Sequence, residues 1–222
     1  MIIDSMSESP QEIGMSKRIT DYRVLRETIP GAVKDSSIAP TSWLDTGCGM
    51  GGSIRLSVER FPDTRFTLSD PSEDNISEAR RSYRDRCDYI VSTSDRLDLE
   101  DSSFDVITAI LSHHYYSDRE TKLLATVNCH RMLKDGGIFV VVEHTRYDGD
   151  QAAMDSQWEK YMRDSGLEEE SIRQMFARRD TVYFPYTEEE YVQLLKDAGF
   201  SEIKPFWRTC SDIGFVARKR IH

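Results

Sequence analysis

The segment Trp43-Leu-Asp-Thr-Gly-Cys-Gly-Met-Gly-Gly52 constrains the fold more than any other, because it sets a carboxylate at the end of a short apolar strand and follows it with alternating glycines. Glycines at 47, 49 and 51 let the backbone turn sharply and approach a ligand more closely than any Cβ would permit. A helix entered directly afterwards presents its free N–H groups to that ligand. The acid sharpens the reading. A carboxylate two residues before the first glycine repels the pyrophosphate that a dinucleotide loop seats, so Asp45 points to a cationic cofactor.

The glycines could form a strand–helix turn and nothing more, but their surroundings argue otherwise. Ile54, Val58 and Phe61 recur at helical spacing and Pro62 follows as a stop. Arg65-Phe-Thr-Leu-Ser-Asp70 then reads as a second strand ending in an acid. Asp70 lies 21 residues beyond Gly49, close to the spacing of about 20 at which an acid at the tip of the second strand takes ribose hydroxyls.

Further on, strands and helices alternate. Cys87-Asp-Tyr-Ile-Val91 reads as a third strand, and Phe104-Asp-Val-Ile-Thr-Ala-Ile-Leu111 as a fourth that is covered on both faces. A helix patterned on Leu123, Leu124 and Val127 leads to a Leu133-Lys-Asp-Gly-Gly137 turn and a fifth strand, Ile138–Val142. A capping box of Thr187 and Glu190, with Tyr186 stapled to Tyr191, starts a helix that stops at Gly199. Ser201–Arg208 and Asp212–Arg218 read as an antiparallel hairpin. The pattern predicts an α/β chain with a Rossmann-like, seven-stranded, mostly parallel sheet, helices on both faces and that hairpin at its end. Asp45, Asp70, Asp95, Ser112-His113-His114 and Glu143 all fall at strand ends, where ligands of such sheets gather.

Composition narrows the partners. At 222 residues and 38% hydrophobic content the chain supports one core, and its net charge of -10 offers no basic face for nucleic acid. The one basic cluster, Arg80–Arg86, is broken by Asp85 and reads as a solvated helix face whose buried side is Ile76, Ala79 and Tyr83. No apolar run reaches the length of a membrane span, and the first ten residues lack a secretion signal, so a cytoplasmic protein is expected. Cys48, Cys87, Cys129 and Cys210 form no C-x-x-C pair and read as free thiols, and no metal site is expected.

With these motifs in place, the chain resembles the class I S-adenosylmethionine (SAM)-dependent methyltransferases from about Ser42 to its end. More narrowly it resembles the group that includes carboxy-S-adenosylmethionine synthase, through Arg26-Glu-Thr-Ile-Pro-Gly31, Leu111-Ser-His-His114, Ser165-Gly-Leu-Glu-Glu169 and Leu195-Lys-Asp-Ala-Gly-Phe200. The resemblance implies residues 1–40 as an N-terminal helical cap and 41–222 as the methyltransferase domain, with a helical lid at about 146–186. It implies that Asp45 faces the methionine amino end, directly or through water, and that Gly47, Cys48, Gly49 and Gly51 line the cofactor. Asp70 takes the ribose hydroxyls, Pro71 and Ser72 pack beside the adenine, and Leu111 joins the wall. Thr93, Ser94 or Asp95 makes the adenine contact. Only about eleven residues separate Pro30 from the first strand, fewer than a covering helix needs, which predicts a more open cofactor on that side.

The expected activity is in-line methyl transfer to a small metabolite. His113 or His114 would serve as a general base; the alternative is a strand-end histidine that only shapes the pocket. Glu143-His144 is a second candidate pair. Ser112-His-His-Tyr115 replaces the Asn/Asp-Pro-Pro-aromatic motif of DNA amino-methyltransferases. The stripes Met154–Trp158–Tyr161–Met162 and Ile172–Met175–Phe176 read as packing or as cover for both sheet and substrate. Two other activities stay open: a carboxy-SAM synthase-like enzyme, and a non-enzymatic domain binding SAM or S-adenosylhomocysteine (SAH). The sequence names neither the acceptor atom nor the oligomeric state.

Overall fold

The structure, a computed structural model, describes residues 10–221. The reading of the first residues as free of a secretion signal, and the part of the helical cap before Pro10, lie outside the described residues. Strands β1 (Ser42–Thr46), β2 (Arg65–Asp70), β3 (Cys87–Val91), β4 (Phe104–Ile110), β5 (Leu133–Arg146), β6 (Tyr186–Thr187), β7 (Ser201–Arg208) and β8 (Asp212–Arg218) form one mixed sheet. Its path runs β3-β2-β1-β4-β5-β8-β7, and the two-residue β6 pairs with the far end of β5 as an eighth strand that periodicity is too short to reveal. The strands from β3 to β5 are parallel, and β8 and β7 are antiparallel.

Successive side chains on the central strands enter opposite cores, as the two-residue period of a strand requires. Trp43, Val106, Ile138, Val140 and Val142 join the core beneath α2 (Tyr22–Asp35), α3 (Arg55–Arg60) and α4 (Glu73–Tyr83). Leu44, Ile107, Phe139 and Val141 join the core beneath α5 (Arg119–Met132) and α8 (Glu188–Asp197). Both faces are therefore dry, and the strands read as continuous apolar runs. Cys48, Cys87 and Cys129 are buried free thiols and Cys210 is half-buried.

Four local expectations are corrected. Arg26-Glu-Thr-Ile-Pro-Gly31 lies inside α2, with Pro30 buried in the helix rather than ending it. The covering helix is thus this one, together with α1 (Pro10–Arg18), and the cofactor side is closed rather than open. On α5 the buried face is Ala125, Thr126, Cys129 and Met132, while Leu124 and Val127 are exposed, because Lys122 and Asn128 turn inward to bond backbone carbonyls and shift the buried stripe by one residue. Leu133–Gly137 is a bulge within β5: Leu133 pairs with Phe104 and Ile138 with Val106, and Gly136 takes φ 77° to absorb the extra residues. The aromatic stripes of α6 (Gln151–Asp164) and α7 (Glu169–Ala177) form a separate small core of Trp158, Met162, Ile172, Met175 and Tyr183. The capping box on α8 is present as read, Glu190 N donating to Thr187 Oγ1 at 3.2 Å and Thr187 N to Glu190 Oε2 at 2.8 Å. No helix among the described residues is long and apolar enough to cross a membrane.

Candidate cofactor site

β1 and β4 are neighbours whose connections leave in opposite directions along the sheet, and a crevice opens beyond their carboxyl ends. There a cavity of about 620 Å³ collects the ends of four strands. Gly47, Cys48 and Gly49 bring it the loop after β1, and Asp70, Pro71, Ser72 and Asn75 the end of β2. Thr93 and Ser94 come from beyond β3, and Ile110, Leu111, Ser112, Tyr115 and Tyr116 from beyond β4. Glu12 and Met15 of α1 and Tyr22 of α2 close the remaining side.

Asp70 organises one end. Its Oδ2 accepts from Gly49 N at 2.9 Å, and its Oδ1 accepts from Ser72 N at 3.0 Å and Asn75 Nδ2 at 2.9 Å. The acid at the tip of β2 thereby ties the glycine loop to the start of α4, whose N-cap is Ser72. Gly47 is at φ 69°, and a Cβ there would lie 2.3 Å from Ser112 Cβ, so the loops after β1 and β4 approach at a distance that only glycine permits. Leu111 takes φ 56°, unusual for a branched side chain, and its N–H donates to Val142 O at 2.6 Å as the chain turns out of β4.

Gly47, Cys48, Gly49, Asp70, Pro71, Ser72, Ser94 and Leu111 all stand on this wall, together with Thr93. Asp45, Gly51, Asp95, His113 and His114 do not. Gly51 faces α4, where a Cβ would lie 2.5 Å from the Tyr83 ring, and Gly52 and Ser53 reach the cavity in its place. Asp95 turns away to accept from Tyr116 Oη at 2.9 Å. Asp45 lies behind the loop, 1% exposed, with Oδ1 accepting from Thr108 Oγ1 at 2.6 Å and Oδ2 without a partner. Burial pushes its carboxyl from the usual 3.8 up to about 7, against the pull of the Thr108 hydroxyl.

Both histidines are buried beneath the site. His113 Nε2 shares a hydrogen bond with Ser94 Oγ at 3.0 Å, and burial pushes the imidazole from 6.5 down to about 4. His114 Nδ1 is in contact with Glu143 Oε2 at 2.6 Å and stacks on His144 at 4.6 Å, with burial holding it below the ordinary histidine range. Glu143 accepts the backbone N–H groups of His113 at 2.8 Å and His114 at 3.0 Å. Burial raises that carboxyl, but His114 and these donors outweigh burial and hold it below its usual value. His144 lies 2.6 Å from Asp212 Oδ1. Placing histidines at a strand end does not say which way the rings turn, and here an acid on the next strand turns them inward.

Glu12, Met15, Tyr22, Asn75, Tyr115 and Tyr116 are wall residues that sequence reasoning missed, and Ser112, read as a strand-end residue, joins them. Tyr115 follows the Leu111-Ser-His-His114 motif and Asn75 follows Asp70 by five residues, so proximity to the motifs was their one signal. Glu12 carried none. It is 1% exposed, clamped between Arg26 Nη2 at 2.9 Å and Arg55 Nη2 at 2.6 Å, and helices distant in sequence bring the three together.

The titrations of Asp45 and His113 predict opposite pH slopes of stability. A buried acid with a raised pKa binds more protons folded than unfolded, so stability falls as pH rises from about 4 to 7. A histidine with a lowered pKa binds fewer, so stability is present above 6.5 and is lost as pH falls towards 4. Each contributes on the order of 3 kcal/mol at full effect. Denaturant midpoints measured across this range should therefore show Asp45→Asn gaining on the parent as pH rises and His113→Gln gaining as pH falls. Curves parallel to the parent's would reject both assignments.

A family model described as a methyltransferase domain matches residues 44–137. The carboxy-S-adenosyl-L-methionine synthase of Campylobacter fetus subsp. fetus is 24% identical over 92% of this chain and 89% of its own length. That of Shewanella amazonensis is 28% identical over 91% and 86%. Among solved structures, human N-acetylserotonin methyltransferase in complex with SAM superposes with a TM-score of 0.67 at 16% identity over 95% of this chain, which spans 55% of that longer protein. This last likeness is one of fold alone. Taken with the cavity at the β1–β4 crevice, the matched domain and the relatives that align along most of the chain support a class I SAM-dependent methyltransferase near the group that includes carboxy-S-adenosylmethionine synthase.

Proposed function

We propose that the cavity beyond β1 and β4 holds SAM, and that the chain passes the methyl group to a small-molecule acceptor by in-line displacement. The observation that carries this reading is Asp70, buried at the tip of β2, on the cavity wall, and bonded to the glycine loop that faces it. Two features fit the group. Thr93 Oγ1 is a buried polar atom on the wall without a partner in the protein, suited to a hydrogen bond from an adenine edge. Asp45 stands behind the loop with an unpartnered oxygen whose charge a cationic ligand stabilises. In this reading Gly47, Cys48 and Gly49 follow the methionine moiety through their backbone, Asp70 accepts from the ribose hydroxyls, and Pro71, Ser72 and Leu111 flank the adenine. Ser94 fixes the wall through Thr46 and His113. Asp95 acts through Tyr116.

Bound SAM supplies a methyl group already activated by its sulfonium. The protein's part is then alignment and exclusion of water. His113 and His114 stand off the wall and are disfavoured as cations, so neither is in position to take a substrate proton; they hold the turn on which Tyr115 and Tyr116 reach the wall. α6 and α7 form the lid at about 146–186 and act through α1: Trp158 Nε1 donates to Arg18 O at 2.7 Å and Tyr161 Oη to Ser16 O at 2.8 Å. Of the proposed cap at 1–40, the described helices α1 and α2 cover the site, and 41–222 serves as the catalytic domain.

A carboxy-SAM synthase-like activity is the second reading, favoured by relatives of that name that match along nearly the whole chain. Calorimetry with SAM, SAH and NAD tests the shared core of both: SAM and SAH should bind and NAD should not, because Asp45, placed just before the glycines, opposes a pyrophosphate. Tight NAD binding with no heat from either adenosyl ligand would end both readings. The mass of the adenosyl ligand recovered with the purified protein then separates them.

A further inference from the structure

Behind the glycine loop, on the face built by α3 and α4, lies a second cavity of about 220 Å³. It has room for about seven waters, or for a compact organic ligand. Val58, Pro62 and the Tyr83 ring form its apolar wall, and Arg55 and Arg86 bring two guanidinium groups against the single acid Glu59. Among the residues that line it arginines outnumber acids two to one, and Arg55 is shared with Glu12 outside the lining, which suits the cavity to an anion that exchanges for that acid. Arg86 is held in place by Pro62 O at 2.9 Å and Val58 O at 3.4 Å.

Two contacts join this cavity to the cofactor site. The Tyr83 ring occupies the space a Cβ on Gly51 would need, and Tyr83 Oη donates to Gly51 O at 2.5 Å, so the ring supports the glycine loop from behind. Arg55 reaches through to Glu12, a wall residue of the cofactor cavity, at 2.6 Å. An anion in the second cavity competes with Glu12 for Arg55, loosens α1 over the cofactor and disturbs the support of the loop.

We propose that the cavity between α3 and α4 is a regulatory site for a small organic anion, a carboxylate or phosphate monoester with a compact apolar body, whose binding weakens cofactor affinity. The regulatory part rests on the SAM-binding reading above. Phenyl phosphate and benzoate serve as probes of the two chemistries, and inorganic phosphate, which lacks the apolar body, serves as the third arm. Titration of the full-length protein with phenyl phosphate or benzoate should move the amide resonances of Ser82, Tyr83 and Arg86 saturably, with inorganic phosphate binding at least fivefold more weakly. Saturation should raise the SAH dissociation constant at least fivefold, and by linkage SAH should weaken the probe by the same factor.

Ser82→Trp fills the cavity mouth, and Arg86→Gln removes the charge while keeping a polar side chain. Both variants should melt near the parent, bind SAH as the parent does, and lose the probe's effect. No saturable shift in the parent, shifts that saturate with the SAH constant unchanged, or an effect that survives in both variants would each overturn the proposal. Should the parent bind no SAH, the cofactor reading fails, while the resonance titration still decides whether the second cavity binds anions.

Discussion

Replacing Glu143 by Ala should lower the unfolding free energy by roughly 3–5 kcal/mol, the cost of breaking a buried charge network from one side. Glu143 is 1% exposed and is the acceptor for two backbone N–H groups, those of His113 and His114, besides its contact with His114 Nδ1. Its removal leaves both N–H groups buried without a partner, at about 1–3 kcal/mol each. For a chain of this length the loss corresponds to a fall in melting temperature on the order of 10 °C. Glu143→Gln retains the shape and one acceptor but turns an NH₂ towards one of the two donors, so it should fall between the parent and Glu143→Ala. Guanidinium melts at neutral pH measure the series. A loss below about 1 kcal/mol for Glu143→Ala would show that the turn after β4 is held by its neighbours rather than by this carboxylate.

Asp70→Ala should weaken SAH binding by at least about 100-fold. Two charge-assisted hydrogen bonds to ribose hydroxyls contribute about 1.5–3 kcal/mol each, and each tenfold in affinity is about 1.4 kcal/mol. The same carboxylate orders the glycine loop through Gly49 N and the start of α4 through Ser72 N, so the variant also loses preorganisation. Asp70→Asn keeps one acceptor but sets its NH₂ against one of those backbone donors, and it should lose less than Asp70→Ala. Calorimetry with SAH gives both constants, and thermal melts show whether the fold persists. An unchanged constant in Asp70→Ala would remove the ribose from this end of the cavity and with it the proposed orientation of the cofactor.

Both predictions concern acids at strand ends that local pattern had already marked, yet the pattern assigned them different standing. For Asp70 the distance from the glycines carried the inference, because a strand–loop–helix–strand unit has nearly constant length and its second tip always returns beside the first loop. Glu143 had no such ruler. It was one of a row of polar residues after a strand, and only the pairing of β5 with β4 shows that its carboxylate lies across from the backbone of His113 and His114. The two readings of the histidines, general base or pocket-shaping residue, stayed open for the same reason: an imidazole after a strand suits a base, but the acid opposite decides which way it turns.

Elsewhere the limit was the reach of local pattern. Leu123, Leu124 and Val127 suggested a buried face for α5, yet Lys122 is fully buried, its Nζ donating to Phe184 O at 2.7 Å and lying 3.7 Å from the Tyr186 ring centre. An apolar count places a lysine outside; a carbonyl and two tyrosines from another part of the chain bring it in. Counted from Pro30, too few residues remained for a covering helix, whereas α2 runs through Pro30 because Leu25, Ile29 and Val33 are wholly buried against the sheet and that packing offsets one missing hydrogen bond.

Periodicity, glycine spacing and capping chemistry, all confined to short stretches, determined the strands β1 to β5, the terminal hairpin, the start of α8 and the glycine loop with its two acids. These elements are dictated by neighbours within about four residues, or by a unit of fixed length. The closing of the cavity by Glu12 and Tyr22, the inward turn of His113 and His114, the separate core under α6 and α7, and the cavity behind Gly51 were decided only by tertiary structure. Each depends on residues far apart in sequence that meet because burial of both sheet faces forces the helices together, and no local pattern encodes which side chains then face one another.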